Sequence, residues 1–165
     1  MKFRIAGIAN DSIVDGPGLR LTVFTQGCPH RCPGCHNPQT HDFAAGIEGD
    51  TDEIIAKMKR NPLLDGVTLS GGEPFSQPEP CAEIARAARS MGLNVWSYSG
   101  YTFEELLGQG SEAQRALLEE LDVLVDGRFV LEKRSLECRF RGSSNQRLID
   151  VPASLKAGCA IELEI

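Results

Sequence analysis

Three thiols stand within eight residues of one another in the stretch Gln26–Pro38, QGCPHRCPGCHNP. Cys28, Cys32 and Cys35 follow a C-x3-C-x2-C spacing. Thiolates are soft ligands that select zinc or iron–sulfur clusters. Pro29, Pro33 and Gly34 surround them, and no hydrophobic period includes them, so packing in a core does not account for the pattern. A structural metal ordinarily takes four protein ligands, and this run stops at three. Zinc would need a fourth ligand such as His30 or His41, since His36 directly follows Cys35 and is badly placed. An iron–sulfur cubane would use three thiolates and leave one iron open. In zinc enzymes, an open coordination position marks chemistry rather than structure, and the same logic applies to iron.

The remaining cysteines follow other rules. Cys81 shares a helical face with Ile84, Ala85, Ala88 and Met91. Cys138 alternates with Leu136 and Phe140, and Cys159 with Ile161, Leu163 and Ile165. All three are therefore expected to pack as small buried hydrophobes. A framework of disulfides is not expected, because three cysteines are bunched too tightly and the N-terminal MKFRIAGIANDSIVDGPG lacks the apolar core of a signal peptide. A reducing cytoplasmic setting is the expectation.

The elements that must position the cysteines alternate between strands and helices. FRIAGIA (3–9) and LRLTVFTQG (19–27) have strand character, and the cysteines follow the second as a Pro/Gly-rich loop. Asp50, with Glu53 three residues on, starts a helix. GVTLSGGEP is a short strand ending in glycines, and PEPCAEIARAARSMG is a helix stopped by Gly92. LNVWSYSG and DVLVDG are strands, separated by helices that the pairs Thr102/Glu105 and Ser111/Gln114 would cap. The tail GCAIELEI alternates as a final strand.

This order predicts a single α/β domain over 1–165 with a mostly parallel sheet. A closed eightfold barrel needs about 250 residues. The length here supports about five or six strands in an open, partial barrel with outer helices. Sites in parallel α/β folds gather at the carboxyl ends of the strands. Those ends carry Gln26-Gly27 and the cysteine loop, Ser70-Gly71-Gly72-Glu73, Ser97-Tyr98-Ser99-Gly100 and Asp126-Gly127, so one rim is expected to hold a single site.

A net charge of −6 argues against a nucleic-acid binder, and no apolar run reaches the length of a membrane span. One segment, 127–147, is locally basic: Arg128, Lys133, Arg134, Arg139, Arg141 and Arg147 stand against Glu132 and Glu137. It is either a solvated face or a contact for a partner or an anionic ligand.

The cysteine triplet together with SGGEP (70–74) resembles the radical S-adenosylmethionine (SAM) superfamily. DGPGLRLTVFTQGCPHRCPGCHNPQT, GVTLSGGEP, YSGYTFEEL, DVLVDGRF and FRGSSNQRLIDV make the chain similar, over roughly 11–151, to the glycyl-radical-enzyme activases of anaerobic ribonucleoside-triphosphate reductase. The first two motifs also occur in pyruvate formate-lyase activases, a longer family, which is the alternative. An alternative of another class is a non-catalytic zinc or iron–sulfur binding module.

The resemblance implies a [4Fe-4S] cluster on Cys28, Cys32 and Cys35, with SAM chelating the fourth iron. Reductive cleavage of SAM would yield methionine and a 5′-deoxyadenosyl radical, which takes a hydrogen atom from a backbone glycine of the reductase. Gly34 and His36 would approach the adenine. His36 stands where many superfamily members carry an aromatic residue. Gly71, Gly72 and Glu73 would hold the SAM amino end, although GGEP alone is also an ordinary turn. Tyr98 and Ser99 would add polar contacts, and Asp126 would touch the ribose or methionine end or serve as a turn former. Asp15, Gly16, Pro17 and Gly18 would line the opening for the partner's glycine loop, or form a turn. FRGSSNQR would close over the site or dock the reductase. A flavodoxin or ferredoxin would supply the electron. No protein general acid or base is expected, because the cofactors carry the chemistry.

Overall fold

Strand β1 (Lys2–Ser12) pairs antiparallel with β2 (Arg20–Thr25) on one side and with β3 (Ile47–Asp50) on the other. From β2 a parallel run begins through β4 (Gly66–Gly71), β5 (Asn94–Tyr98) and β6 (Val123–Asp126). β7 (Arg147–Asp150) returns antiparallel, giving a seven-stranded sheet in the order β3-β1-β2-β4-β5-β6-β7. This computed structural model describes residues 1–164. It is a mixed α/β protein whose four central strands, from β2 to β6, run parallel.

The helices are α1 (Thr51–Arg60), α2 (Pro78–Ser90), α3 (Phe103–Gln109), α4 (Glu112–Glu119) and α5 (Val151–Ala157). Their starts follow from local chemistry. The Asp50 carboxylate accepts from Asp52 N, and complete capping boxes close at Thr102/Glu105 and Ser111/Gln114. Among the described residues, no helix is long and apolar enough to cross a membrane.

Alternation along the strands divides the sheet into two unlike faces. Leu21, Val23, Val67, Leu69, Val95 and Leu124 join Ile54, Met58, Cys81, Ile84, Ala85, Ala88, Leu106, Leu117 and Leu118 of the helices in one apolar core. The intervening residues, Arg20, Thr22, Thr68, Trp96 and Tyr98, take the other face. There Trp96, Val123, Val125 and Leu148 form a smaller cluster with Tyr98 and Phe140.

Arg20 is fully buried on that second face. Its guanidinium donates to Thr68 Oγ1 at 2.8 Å, Pro17 O at 2.9 Å, and Val67 O and Asn94 O, both at 3.1 Å. It also lies 5.6 Å from the centre of the Trp96 ring. Burial lowers its pKa to about 10, still protonated at neutral pH. Neutral carbonyls and a hydroxyl, rather than a carboxylate, satisfy this cation and tie the 13–18 loop to the sheet.

Two expectations change. Seven strands form, not five or six. β3 and β7 are four residues each, too short to show a periodic pattern, and exist because a neighbouring strand offers an edge. The tail makes only an isolated bridge, Glu162 to Ile149, instead of a strand; Ile165, the last residue of the expected strand, lies outside the described residues.

Replacing Arg20 with Met is expected to lower the unfolding free energy by about 2 kcal/mol, since several buried acceptors lose their donor. Denaturant titration of the protein would show this, and proteolysis would become faster within 13–18.

Candidate functional site

The cysteine loop leaves β2 and is held in place mostly by its own backbone. Gln26 Nε2 donates to Gln39 O at 2.9 Å and Asp42 O at 2.7 Å. Gly27 N donates to Thr40 O at 2.7 Å, and Cys28 N to His41 O at 3.2 Å. Cys35 N donates to Cys32 O at 3.1 Å, and Cys35 Sγ accepts from Asn37 N at 3.4 Å. All three thiols are free. Cys28 is buried, and that burial raises its pKa; Cys32 and Cys35 are half-buried.

Cys28, Cys32 and Cys35 all line one cavity of about 640 Å³ at the carboxyl edge of the parallel strands. Ser70, Gly71 and Gly72 at the end of β4 share its wall, as do Tyr98, Ser99 and Gly100 beyond β5 and Gly127 beyond β6. His36 is there too, 5.1 Å from the Phe129 ring. The single rim expected from topology is thus present in space.

Gly71 and Gly72 answer first to the protein's own backbone. A Cβ on Gly71, at φ +95°, would lie 2.4 Å from Thr25 N, and one on Gly72 would lie 2.4 Å from Gly27 O. No other residue lets the β4 end close against the cysteine loop. Both glycines still present backbone to the cavity.

Two expected ligand contacts are corrected. Glu73 is fully buried and is not on the cavity wall. Its Oε1 meets His30 Nε2 at 2.7 Å, Gly100 N at 2.8 Å and Ser99 Oγ at 3.0 Å; Oε2 accepts from Phe75 N at 3.0 Å. A carboxylate so fully engaged has no lone pair left for a ligand. Asp126 is also buried away from the wall. It accepts from Phe103 N at 2.7 Å and from Arg147 Nη2 at 2.6 Å and Nε at 3.0 Å. Arg147 continues to Glu104 Oε1 at 2.9 Å, and these acceptors, Asp126 foremost, hold its pKa up.

Other residues move as well. Gly34 is off the wall and packs against Leu131, whose Cδ1 would lie 2.8 Å from an added Cβ. Of Asp15–Gly18 only Asp15 reaches the cavity, where Ser12 Oγ and Thr22 Oγ1 donate to it. Gly16 backs onto Arg20, Pro17 O accepts from Arg20, and Gly18 abuts Asp65. Tyr98 donates from its hydroxyl to Phe140 O at 2.7 Å, and burial raises its pKa.

The 127–147 segment covers one side of the cavity with Phe129, Arg134, Leu136, Phe140, Arg141 and Gln146. Cys138 therefore lies half-buried in this wall rather than in the core, because LECRF forms bends and turns in which strand alternation has no meaning. Cys159 is exposed in the turn after α5 for the same reason. Only Cys81 packs as expected. Sequence reasoning also missed His30 and Glu73 as partners, and only a distance in space joins them.

The donor set suits an iron–sulfur cluster. Three free soft ligands face one cavity beside glycine backbone, and the nearby His41 Nε2 is buried without a hydrogen-bond partner. Among the described residues, no three His, Cys, Asp or Glu side chains are close enough to hold a single ion. A cubane places each thiolate on a different iron and does not require such closeness.

The fold and site therefore define an α/β protein with three free cysteines gathered on one cavity at the carboxyl edge of its sheet. A profile described as a 4Fe-4S single cluster domain matches residues 14–149. An anaerobic ribonucleoside-triphosphate reductase-activating protein of Vibrio cholerae is 37% identical over 142 residues, covering 81% of this chain and 89% of its own. The protein of the same name from Escherichia coli is 35% identical over 143 residues, covering 81% of this chain and 90% of its own. A pyruvate formate-lyase-activating enzyme of Clostridium pasteurianum is 40% identical over 115 residues, 63% of this chain but 48% of that enzyme. The chain belongs to the 4Fe-4S single cluster domain family and to the family of anaerobic ribonucleoside-triphosphate reductase-activating proteins.

Breaking the Asp126–Arg147 pair with Arg147→Met should cost about 3 kcal/mol, as expected when a buried carboxylate loses its cation. Denaturant unfolding of the metal-free protein measures it, and a loss under about 0.5 kcal/mol would contradict this role for the pair.

Proposed function

We propose that this protein is a radical SAM activase that generates a glycyl radical on anaerobic ribonucleoside-triphosphate reductase. The observation that carries this reading is the meeting of Cys28, Cys32, Cys35 and the Gly71–Gly72 backbone on one cavity, in a chain of the activating-protein family. Cys28, Cys32 and Cys35 would hold three irons of a [4Fe-4S] cluster, leaving the fourth for SAM. When bound, that pair supplies an electron transfer and a radical able to take hydrogen from a backbone glycine.

The residues around the cavity bind, orient and exclude water. The Gly71 and Gly72 backbone and Ser99 face the amino end of SAM, with His36 and Phe129 as flat surfaces for the adenine. Tyr98 and Asp15 are the polar groups left for the rest of the cofactor or for the entering peptide. The seven-stranded sheet, in this reading, is an open partial barrel forming one domain over 1–165. Its uncovered side admits the glycine loop, and the basic 127–147 segment borders that entrance. The electron comes from a flavodoxin or ferredoxin, in the cytoplasm.

The test is anaerobic reconstitution with iron and sulfide, then addition of SAM, a reductant and the reductase. About four irons per chain, 5′-deoxyadenosine and a glycyl-radical signal by electron paramagnetic resonance are expected. Iron binding without 5′-deoxyadenosine in the presence of the reductase would sink the assignment. One zinc per chain with no sulfide would replace it with a binding module.

Similarity to the Clostridium pasteurianum enzyme supports a second reading, activation of pyruvate formate-lyase. A radical formed only on the lyase would select it. Within the same preparation, serine at Cys28, Cys32 or Cys35 is expected to reduce bound iron by more than about tenfold, whereas Cys159→Ser leaves it unchanged.

A further inference from the structure

We infer that His30 and Glu73 form a latch that positions the cysteine loop for its cluster. The inference rests on the cluster-binding reading above and goes beyond it: His30 lines the same cavity as the three cysteines, and its ring nitrogen is tied to Glu73, which lies off the cavity wall. Between Pro29 and Cys35, His30 to Glu73 is the one hydrogen bond among the described residues that joins this segment to the sheet. The rest of its bonding is internal or to Asn37. Yet this segment must hold Cys28 and Cys32 at fixed separation while three irons bind.

The seat for His30 is built to shape. Its ring lies against Gly100, where an added Cβ would fall 2.3 Å from His30 Cδ2. Tyr101 meets the ring edge-on at 4.6 Å between centroids. The His30 side chain is only 4% exposed and Glu73 0%. Glu73 accepts from Phe75 N, Ser99 Oγ and Gly100 N, all from the β4 and β5 ends. His30 Nε2 supplies the remaining donor, and it alone comes from the cysteine loop. The carboxylate therefore joins the metal loop to both strand ends that form the rest of the cavity. In metalloproteins, groups that orient the ligands without binding metal affect affinity by about 10–100-fold. His30 and Glu73 are positioning residues of this kind.

The experiment compares wild type, His30→Phe and His30→Gln after anaerobic reconstitution. Phe preserves the ring and its packing but removes the donor, and Gln retains an N–H donor. Iron release to a chelator and the paramagnetic resonance line shape of the reduced cluster are read in each. Melting of the metal-free proteins controls for stability. His30→Phe is expected to release iron about tenfold faster with an altered line shape, and His30→Gln to recover most of the difference. Equal release rates in wild type and His30→Phe overturn the latch, whatever the line shape. Faster release in His30→Gln matching that of Phe also overturns it. Should His30→Phe not fold, His30→Leu, which also removes the donor to Glu73, is held to the same expectation and the same refutation. A wild type that binds no iron–sulfur cluster instead refutes the functional reading, so the two failures are distinct.

Discussion

A carboxylate taken out of water is costly unless its oxygens meet donors, and Glu73 meets this demand by drawing together three separate pieces of chain. Phe75 N lies two residues further on, Ser99 and Gly100 follow β5, and His30 lies in the cysteine loop. Only Ser99 and Gly100 are neighbours in sequence; the three pieces are otherwise far apart. The arrangement exists only when β4 and β5 end side by side and the loop folds back onto them. Gly71, Gly72 and Gly100 provide the room, since a Cβ at any of the three would collide with backbone or with the His30 ring. Geometry at the cysteine-lined cavity is thus tied to the register of the parallel sheet.

The sheet in turn owes its sidedness to simple alternation. One face carries aliphatic residues against the helices, and the other carries Arg20, Thr22, Thr68, Trp96 and Tyr98. Most α/β sheets bury both faces under helices. Here the second face is covered by irregular chain, including the 127–147 segment, and part of it remains an open cavity. Asp126 and Arg147 anchor the two ends of that segment to one another, so the cover has a fixed base at β6 and β7. Such a cover leaves a mouth, which a closed barrel would not.

Much of this was legible in sequence. Capping boxes at Thr102 and Ser111 are local, needing only residues three apart, and both formed as expected. The gathering of Cys28, Gly71, Ser99 and Gly127 on one rim followed from parallel topology. Errors arose where a pattern had two explanations. Glu73 and Asp126 are carboxylates at strand ends, and a polar residue there satisfies backbone or contacts a ligand equally well by sequence. Cys138 and Cys159 alternated with apolar neighbours by composition, without the strand that would give alternation a direction.

What the sequence determined alone was the chemistry available: three soft ligands in a non-periodic loop, glycines at a strand end, and an alternation of strands and helices. These depend on residue type and short spacing, which do not change on folding. The tertiary structure decided which of the candidates face the cavity. It turned Glu73 and Asp126 inward to meet buried donors and set Gly34 against Leu131. It also brought His30, 43 residues from Glu73, within 2.7 Å of it. Whether a polar group serves the protein or a ligand depends on which donors and acceptors lie around it, and that is a property of the packed chain.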